Sequence, residues 1–418
     1  MPEITITEKT LPQAGQPDTN PANLEFPNIA WQGLFQDYRD LVAETTEAAD
    51  AFHYAAFLSV LGCTLGRRLH VYHATNLYPN FYICLVGRSG MTRKDTSIAR
   101  SRDLLNRLHA EDITTSPSFR IVRGIRSYEG LLDELSGERK VRLIHFGELL
   151  SLFSKTKQES VGNIIPQLTE LYDCPDQINP PVHQKEIANC REPFLSIIAG
   201  TTQAWMSKAL TEREIYGGFA NRWMYFYGLP KGPIPNPPKV DREKRDKLVA
   251  EINQIRSWAD SVENGELTVE GEANNLFTDY YKEFYGRCQR EGMIPTLIVR
   301  VQDIVWKLAL LYAAFNLSVT IRKQDLEPAL AVGNYLEASI TEIFRGFQDT
   351  RGKQAENRVL DYLKNQPQGV RFRDAWHNLG LSSGELEGVI GPLVKAGLIQ
   401  NNYVPGTTRQ KIRILKPL

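Results

Sequence analysis

Apolar runs of strand length alternate with helical segments through the middle of the chain, and this order constrains the fold more than any other feature. The apolar runs lie at residues 81–86, 119–127, 141–148 and 193–202. Helical patterns follow the first two runs, and an amphipathic helix is predicted at 161–173. Strands that alternate with helices favour a parallel sheet covered on both faces, and such sheets bind ligands at the carboxyl ends of their strands. The sequence therefore predicts an α/β fold.

The first apolar run leads into a glycine-containing loop, with the sequence YICLVGRSGMTRKDTS at residues 82–97. Strand, glycine loop, lysine and helix form the layout of a phosphate-binding loop, whose usual spelling is G-x-x-x-x-G-K-[ST]. The spelling here differs. Gly87 precedes Lys94 by seven positions, Arg93 takes the place of the second glycine, and Asp95 takes that of the metal-binding hydroxyl.

Despite this spelling, the loop is a candidate site for ATP and Mg²⁺. Backbone N–H groups that lead into a helix N-terminus bind phosphate, and a lysine neutralises its charge. Thr96 or Ser97 would replace the missing hydroxyl on the metal side. The predicted contacts are Gly87, Ser89, Gly90, Arg93, Lys94, Thr96 and Ser97. The competing interpretation is an ordinary strand–turn–helix with solvated cations.

Four further polar residues end predicted strands or lie among aromatic residues. Glu148 ends the run at 141–148, where a nucleotide hydrolase handles its metal and water; the alternative is a carboxylate in the first turn of a helix. Thr201 and Thr202 end the last run, where a hydroxyl can orient water or cap a helix. Arg222, in the stretch GGFANRW, is a candidate for stabilising phosphoryl charge, and its alternative role is a structural salt bridge.

The C-terminal segment, about residues 355–418, changes character. Three short helical patterns are followed by two strands around a Pro-Gly turn, which is the winged-helix order. The segment carries nine Lys and Arg against five Asp and Glu, in a chain whose formal net charge is zero. We expect a DNA-binding domain whose hairpin presents Arg409, Lys411 and Arg413 to DNA.

The composition of the chain also predicts its division into segments. Residues 1–22 are predicted to be a disordered tail, 23–230 the sheet domain with N-terminal helices, and 240–350 a helical bundle that follows a proline-rich connector. Five cysteines without a C-x-x-C pair argue against a zinc knuckle or a disulfide framework. The sequence has no run of about 18 apolar residues, which is the length that a membrane-spanning helix needs. We therefore expect a cytoplasmic protein.

The stretch from Phe26 to Tyr335 resembles a RecA-like P-loop ATPase family of uncharacterised domains in phage, plasmid and other mobile-element proteins, often fused to primase modules. The most specific matches are the loop pattern RK-x-TS and GGFANRW, with further similarity in IIAGTT and RVQDIVWKLALLYAAF. The chain departs from the pattern at Asp95 and at His145–Gly147, where an acid commonly precedes Glu148. The resemblance implies a helicase-like ATPase that assembles as a ring or hexamer, with Arg222 or Arg213 reaching a neighbouring site.

Three hypotheses follow from these features. The first is an ATP-dependent motor or switch that acts on DNA in mobile-element replication. The second is a DNA-binding oligomeric scaffold whose phosphate loop is degenerate, which Asp95 and the missing acid favour. The third is a small-molecule phosphotransferase on the same fold, which the winged-helix-like segment disfavours.

Overall fold

The computed structural model describes residues 24–108, 119–125, 127–149, 152, 164–178, 190–210, 212–229, 231–405 and 411–417. Contacts divide the chain into two compact units, Met1–Glu342 (unit 1) and Ile343–Leu418 (unit 2). The predicted tail at 1–22 lies outside the described residues. In the described part of the chain, no helix is long and apolar enough to cross a membrane.

The strands are numbered in chain order. They are β1 His70–His73, β2 Thr75–Leu77, β3 Tyr82–Val86, β4 Phe119–Val122, β5 Gly137–Glu138, β6 Val141–Phe146, β7 Gln177–Ile178, β8 Cys190–Arg191, β9 Phe194–Thr201, β10 Trp223–Tyr227, β11 Glu266–Val269, β12 Thr320–Ile321, β13 Val370–Arg371, β14 Ile399–Pro405 and β15 Lys411–Pro417.

The α-helices are numbered in the same way. They are α1 Leu34–Val42, α2 Asp50–Leu65, α3 Lys94–Leu108, α4 Tyr128–Leu135, α5 Ile164–Tyr172, α6 Gln203–Ala209, α7 Glu212–Tyr216, α8 Arg242–Ser261, α9 Gly271–Cys288, α10 Met293–Ile298, α11 Val301–Phe315, α12 Lys323–Lys364, α13 Phe372–Leu379 and α14 Ser383–Lys395.

Unit 1 is built on a five-stranded sheet in the order β10-β3-β9-β6-β4. Every neighbouring pair in this sheet is parallel, with Tyr82 opposite both Trp223 and Ile197. The α/β fold and the parallel sheet predicted from the sequence are therefore confirmed. All residues of β3 and β9 are buried, as expected for strands covered on both faces.

Two apolar helices form much of the core of unit 1. Every residue of α2 after Asp50 is buried, and α11 is buried from Ile304 to Ala314. A helix that is apolar all round lies inside a protein, because no face of it is suited to water. The apolar pattern at 298–317 predicts one long buried helix. The burial is confirmed, but α11 begins at Val301 and the separate helix α10 ends before it.

Two smaller sheets of unit 1 were missed by the sequence analysis. One has the order β12-β11-β1-β2 and the other the order β5-β8-β7. Of their strands, only the region of β1 showed strand character in the sequence. The others are two to four residues long, too short for a period-two pattern to emerge. The sequence pattern predicts a helix at 268–290, but β11 takes its first two positions and the helix α9 begins at Gly271.

Unit 2 contains the end of α12, the helices α13 and α14, and a sheet in the order β13-β15-β14. Its core includes Val359, Leu386, Ile390 and Leu415. The helix α14 begins with a capping box, in which Ser382 and Glu385 bond each other's backbone N–H.

The predicted break between helices near residue 350 was wrong. The helix α12 continues from Lys323 to Lys364. The polar stretch around Gly352 lacks apolar periodicity, and this pattern predicts the end of a helix. A single glycine costs a helix only about 1 kcal/mol relative to alanine, so it does not by itself end one.

His53 makes the stability of unit 1 sensitive to acid. It is buried in α2, and neither ring nitrogen has a hydrogen-bond partner in the described part of the chain. Burial lowers the pKa of His53 to about 4. Since an unfolded histidine has a pKa of about 6.5, the unfolded chain takes up the proton first as the pH falls. The stabilisation from neutral His53 is complete above about pH 6.5 and is lost towards pH 4.

We expect His53 to remove about 2 kcal/mol from the free energy of unfolding between pH 7 and pH 5. Urea unfolding at the two pH values measures this difference. His53→Leu should lose this part of the pH dependence, whatever its absolute stability. The exposed His377 of unit 2 supplies the control, because His377→Leu should keep it. Equal pH dependence in His53→Leu and the parent would contradict the assignment.

Candidate functional site

The candidate site lies at the carboxyl edge of the main sheet, where Gly87 follows β3, Glu148 lies two residues beyond β6 and Thr201 ends β9. After β3 the chain leads to the far edge strand β4, whereas after β9 it crosses to β10 on the other side of β3. Two neighbouring strands whose connections diverge open a crevice at their carboxyl ends, which is where open α/β sheets bind ligands.

The loop from Gly87 to Arg93 is held by its own backbone and by β9. Gly87 N–H donates to Thr201 O at 3.2 Å, and the Thr92 hydroxyl donates to Arg88 O at 3.0 Å. A β-carbon added to Gly87 would lie 2.7 Å from Thr92 Oγ1 and 3.1 Å from Phe52 Cζ. The loop therefore has no room for a side chain at position 87.

Arg93 takes the left-handed conformation that a glycine would adopt easily, with φ at +50°. Its carbonyl accepts the N–H groups of Thr96 and Ser97 at 3.0 and 3.2 Å. The substitution of arginine for the second glycine of the usual spelling thus keeps the turn, at some conformational cost.

Lys94 is the first residue of α3, and its side chain folds back into the loop. The ammonium Nζ donates to Gly87 O at 2.8 Å. A β-carbon on Gly200 would lie 3.6 Å from Lys94 Cδ and Cε, so the lysine stem crosses the end of β9. Burial lowers the pKa of Lys94, and the carboxylates of Asp95 and Glu148 oppose that shift. This places a cation within the loop, at the carboxyl edge of the sheet.

Glu148 is fixed beside this cation by β9. The Thr201 hydroxyl donates to Glu148 Oε1 at 2.6 Å, and Leu149 N–H donates to Gly200 O at 3.0 Å. Thr201 is buried, while Glu148 is half-buried. The carboxylate therefore has a fixed orientation and keeps access to solvent.

Thr202, predicted to orient water, instead caps α6 by accepting the N–H of Trp205 at 3.3 Å. The hydroxyl beside Glu148 belongs to Thr201. Both threonines follow the same apolar run, and only the end of β9 at Thr201 shows which hydroxyl faces Glu148.

The guanidinium of Arg93 points to a residue that sequence reasoning missed. It forms an ion pair with Glu47, with Arg93 Nη2 3.0 Å from Oε2, and Glu47 Oε1 accepts Ile234 N–H at 3.0 Å. The hydrogen bond from Ile234, with that from Arg93, lowers the pKa of Glu47. Arg93 thus ties the loop to the segment before α2 and to the proline-rich connector, and its charge is already paired.

The predicted hydroxyls of the loop differ in availability. Ser97 is buried and donates to Lys94 O at 2.7 Å. Ser89 is exposed, and half-buried Thr96 has no side-chain hydrogen bond with the residues described. Among those residues no group of three or more His, Cys, Asp and Glu could hold a metal. A Mg²⁺ ion here would have Thr96 and Glu148 as its protein ligands, with phosphate oxygens and water completing the shell.

The structure does not bring Arg222 to this site. Arg222 precedes β10, whose first residue, Trp223, pairs with Tyr82, so it lies at the amino edge of the sheet. It is buried, and it donates to Gly218 O at 2.7 Å and to Asp173 Oδ2 at 2.9 Å. Within its own chain Arg222 therefore forms the salt bridge that was the alternative interpretation. The side chain of Arg213 lies outside the described residues.

The predicted DNA-contact residues of unit 2 are only partly described. Arg409 lies outside the described residues, and Lys411 is described only as part of the backbone of β15. Arg413 is paired with both carboxylate oxygens of Glu387 on α14, and its Nε donates to Asn401 Oδ1 at 2.8 Å. Its guanidinium also lies 4.3 Å above the ring of Phe372. Arg413 therefore joins the hairpin to α14 and presents no free charge.

Comparison with models of known protein families found no match to this chain, and comparison with curated proteins found no significantly similar sequence. The site is therefore interpreted from its own geometry.

Gly87 provides a test of the loop geometry. We expect Gly87→Ala to lower the free energy of unfolding by about 1–3 kcal/mol, because the added methyl group overlaps Thr92 and Phe52. Gly147, at the same edge of the sheet, is the matched control, since a β-carbon there meets no atom within 4 Å. Urea unfolding of the two variants makes the comparison, and equal stability would show that the loop is looser than described.

Proposed function

We propose that the chain is a RecA-like P-loop protein that binds ATP at the carboxyl edge of its main sheet and acts on DNA as a helicase-like motor or switch, in mobile-element replication. The observation that supports it most is the position of Lys94. Its ammonium lies in a glycine loop between β3 and α3, at the crevice of a parallel sheet and in the field of Glu148. A chance strand–turn–helix would leave such a cation in solvent.

The loop offers two of the elements that bind a phosphate chain. Lys94 and Asp95, the first two residues of α3, have N–H groups that bond no described carbonyl, and the helix dipole favours an anion at this end. Lys94 needs to exchange only its bond to Gly87 O for one to a phosphate oxygen. The loop carbonyl and the phosphate are both oxygen acceptors, so the exchange leaves the ammonium satisfied.

Glu148 is the residue we propose for the chemical step. Bound ATP supplies the phosphoanhydride bond, and hydrolysis requires a group that positions the attacking water and accepts its proton. Glu148 is half-buried, and Thr201 fixes its Oε1 at 2.6 Å, which leaves Oε2 for water. Thr201 thus acts as a positioning residue for the carboxylate.

The non-hydrolysing scaffold remains the second candidate, and three observations favour it. The charge of Arg93 is paired with Glu47, Arg222 is paired with Asp173 at the opposite edge, and Asp95 adds a negative charge to the first turn of α3. Since Arg93 and Arg222 are already paired, we propose that another subunit of the ring or hexamer supplies an arginine to the site. A scaffold would bind nucleotide without turnover.

Nucleotide titration by calorimetry and a turnover assay separate these candidates. Lys94→Ala should weaken ATP binding at least tenfold, about 1.4 kcal/mol, because it removes the cation and leaves the N–H groups. Arg93→Ala should have a smaller effect, since its charge already faces Glu47. Glu148→Gln should preserve binding and abolish turnover.

Lys140, which precedes β6 at the amino edge, is the matched control for Lys94. Lys140→Ala removes the same charge far from the loop and should bind ATP as the parent does. A parent without affinity for ATP and magnesium would exclude the proposed site. Binding without turnover, with or without DNA, would select the scaffold.

We propose that unit 2 is a winged-helix-like domain that contacts DNA. Its support is the element order, with three helices and a hairpin, and the excess of Lys and Arg in the segment. Arg371 and Arg373 are exposed and form no ion pair with the described residues, so they are free to meet phosphates. We propose that they contact DNA together with Arg409 and Lys411. Arg413 instead joins the hairpin to α14.

The salt dependence of DNA binding tests this assignment. Each lost phosphate contact should reduce the slope of log K against log salt by about one, so Arg371→Ala with Arg373→Ala should reduce it by about two. Lys282→Ala, an exposed lysine of unit 1, is the control and should leave the slope unchanged. Loss of affinity without a change in slope would indicate that these arginines do not contact phosphate.

A further inference from the structure

A second cavity lies in unit 1 at the amino edge of the sheet, opposite the glycine loop. Its volume is about 270 Å³, and its lining includes Asn80, Tyr172, Asp173, Arg300, Asp303 and Lys307. Asn80 lies just before β3, Tyr172 and Asp173 close α5, and the other three residues lie at the start of α11 or just before it. None of these residues takes part in the proposed ATP site.

Lys307 is a buried charge without a counter-ion. Only 2% of its surface is exposed, and it forms no ion pair with a described carboxylate. Its Nζ donates to Asn80 Oδ1 at 2.7 Å and to Asn80 O at 3.1 Å, and it lies 4.1 Å from the centre of the Tyr172 ring. Because an ammonium has three N–H donors, Asn80 leaves one of them unused. Burial lowers the pKa of Lys307 to about 8, although the charges of Asp303 and Asp173 oppose this shift.

The hydroxyl of Tyr172 is the second unsatisfied group of this cavity. Tyr172 is 3% exposed, and its hydroxyl has no hydrogen-bond partner among the residues described. Burial raises its pKa, Asp303 raises it further, and Arg300 lowers it, so the hydroxyl lies in the field of these two side chains. A buried hydroxyl without a partner costs about 1–3 kcal/mol, which a suitable acceptor would recover.

The charged residues that line the cavity are two cations, Arg300 and Lys307, and two carboxylates, Asp173 and Asp303. Arg300 lies 3.4 Å from Asp173 and 3.6 Å from Asp303, and Arg222, which is outside the lining, contacts Asp173 at 2.9 Å. Both carboxylates are therefore paired with an arginine, whereas Lys307, the most buried of these cations, forms an ion pair with neither.

We propose that this cavity binds a small anion, a carboxylate or a phosphate-like oxyanion, which accepts hydrogen bonds from Lys307 and from the hydroxyl of Tyr172. Such an anion supplies the missing counter-charge and the missing acceptor together. The volume fits inorganic phosphate or a short organic acid. This assignment does not depend on the ATP site, because it uses other residues at the other edge of the sheet.

The test uses the full chain with Lys94→Ala, so that the glycine loop contributes little to phosphate binding. Inorganic phosphate and malonate are titrated by calorimetry at pH 7 and constant ionic strength. We expect saturable binding of one anion per chain for at least one probe. Stronger binding of phosphate identifies a phosphate-like ligand, and stronger binding of malonate identifies a carboxylate.

Tyr172→Phe is the decisive variant, because it keeps the ring beside Lys307 and removes only the hydroxyl. It should weaken anion binding roughly tenfold, the equivalent of one hydrogen bond to a charged group. In the absence of the anion its thermal midpoint should match or exceed that of the parent, since an unsatisfied buried group is removed. Lys307→Met, which removes the cation at similar volume, should abolish binding.

Tyr38→Phe is the matched control, because Tyr38 is another buried tyrosine whose hydroxyl lacks a partner in the described chain, but it does not line the cavity. It should bind the anion as the Lys94→Ala parent does. Absence of saturable binding for both probes would overturn the proposal, and so would a Tyr172→Phe variant that binds as tightly as Tyr38→Phe.

Discussion

Parallel pairing of β3 with a neighbour on each side is the constraint on which the rest of unit 1 depends. In a parallel sheet all carboxyl ends share one edge, so the pairing of β3 with β9 and β10 brings Gly87 and Thr201 together and places Asn80 and Arg222 at the opposite edge. The same pairing requires helices on both faces, because β3 and β9 are buried throughout. The helix α2 meets this requirement with side chains that need no water on any face. The two candidate sites are thus the two edges of one sheet, separated by the length of its strands.

Each edge holds a lysine whose charge is stabilised by backbone carbonyls. Lys94 donates to Gly87 O, and Lys307 donates to Asn80 O and to the Asn80 side chain. Burial lowers the pKa of both ammonium groups, so in each case the hydrogen bonds only partly replace water. The surroundings differ. Lys94 is half-buried in an open crevice beside Glu148, which suits a ligand that enters and leaves, whereas Lys307 is enclosed and faces no free carboxylate, which suits a small anion that stays.

Four of the five strands of the main sheet were predictable from segments of strand character, and the edge strand β10 was missed. The loop was predictable because a glycine and then a lysine follow the apolar run of β3. What the sequence could not supply is the pairing of charges that are distant along the chain. Arg93 meets Glu47, 46 residues away, and Arg222 meets Asp173, 49 residues away. Both arginines were candidate phosphate ligands as long as their partners were unknown. Arg413 of unit 2 is a third such arginine, because its partner Glu387 lies on a different element, the helix α14. An arginine in a motif indicates a charge, and only the fold shows whether that charge is already used.

The internal bonds of the proposed ATP site do not argue against its use. A hydrogen bond to a charged group contributes about 1.5–3 kcal/mol, so breaking both the Lys94–Gly87 and the Thr201–Glu148 bonds would cost at most about 3–6 kcal/mol. Phosphate binding needs only the first of them to be exchanged, and the phosphate oxygen replaces the acceptor that is lost. The second bond leaves one carboxylate oxygen of Glu148 free and restricts its orientation, which favours catalysis by lowering the entropy lost in reaching the reactive geometry. A site in which both charged groups are satisfied before the ligand arrives is therefore stable when empty and loses little of that stability on binding.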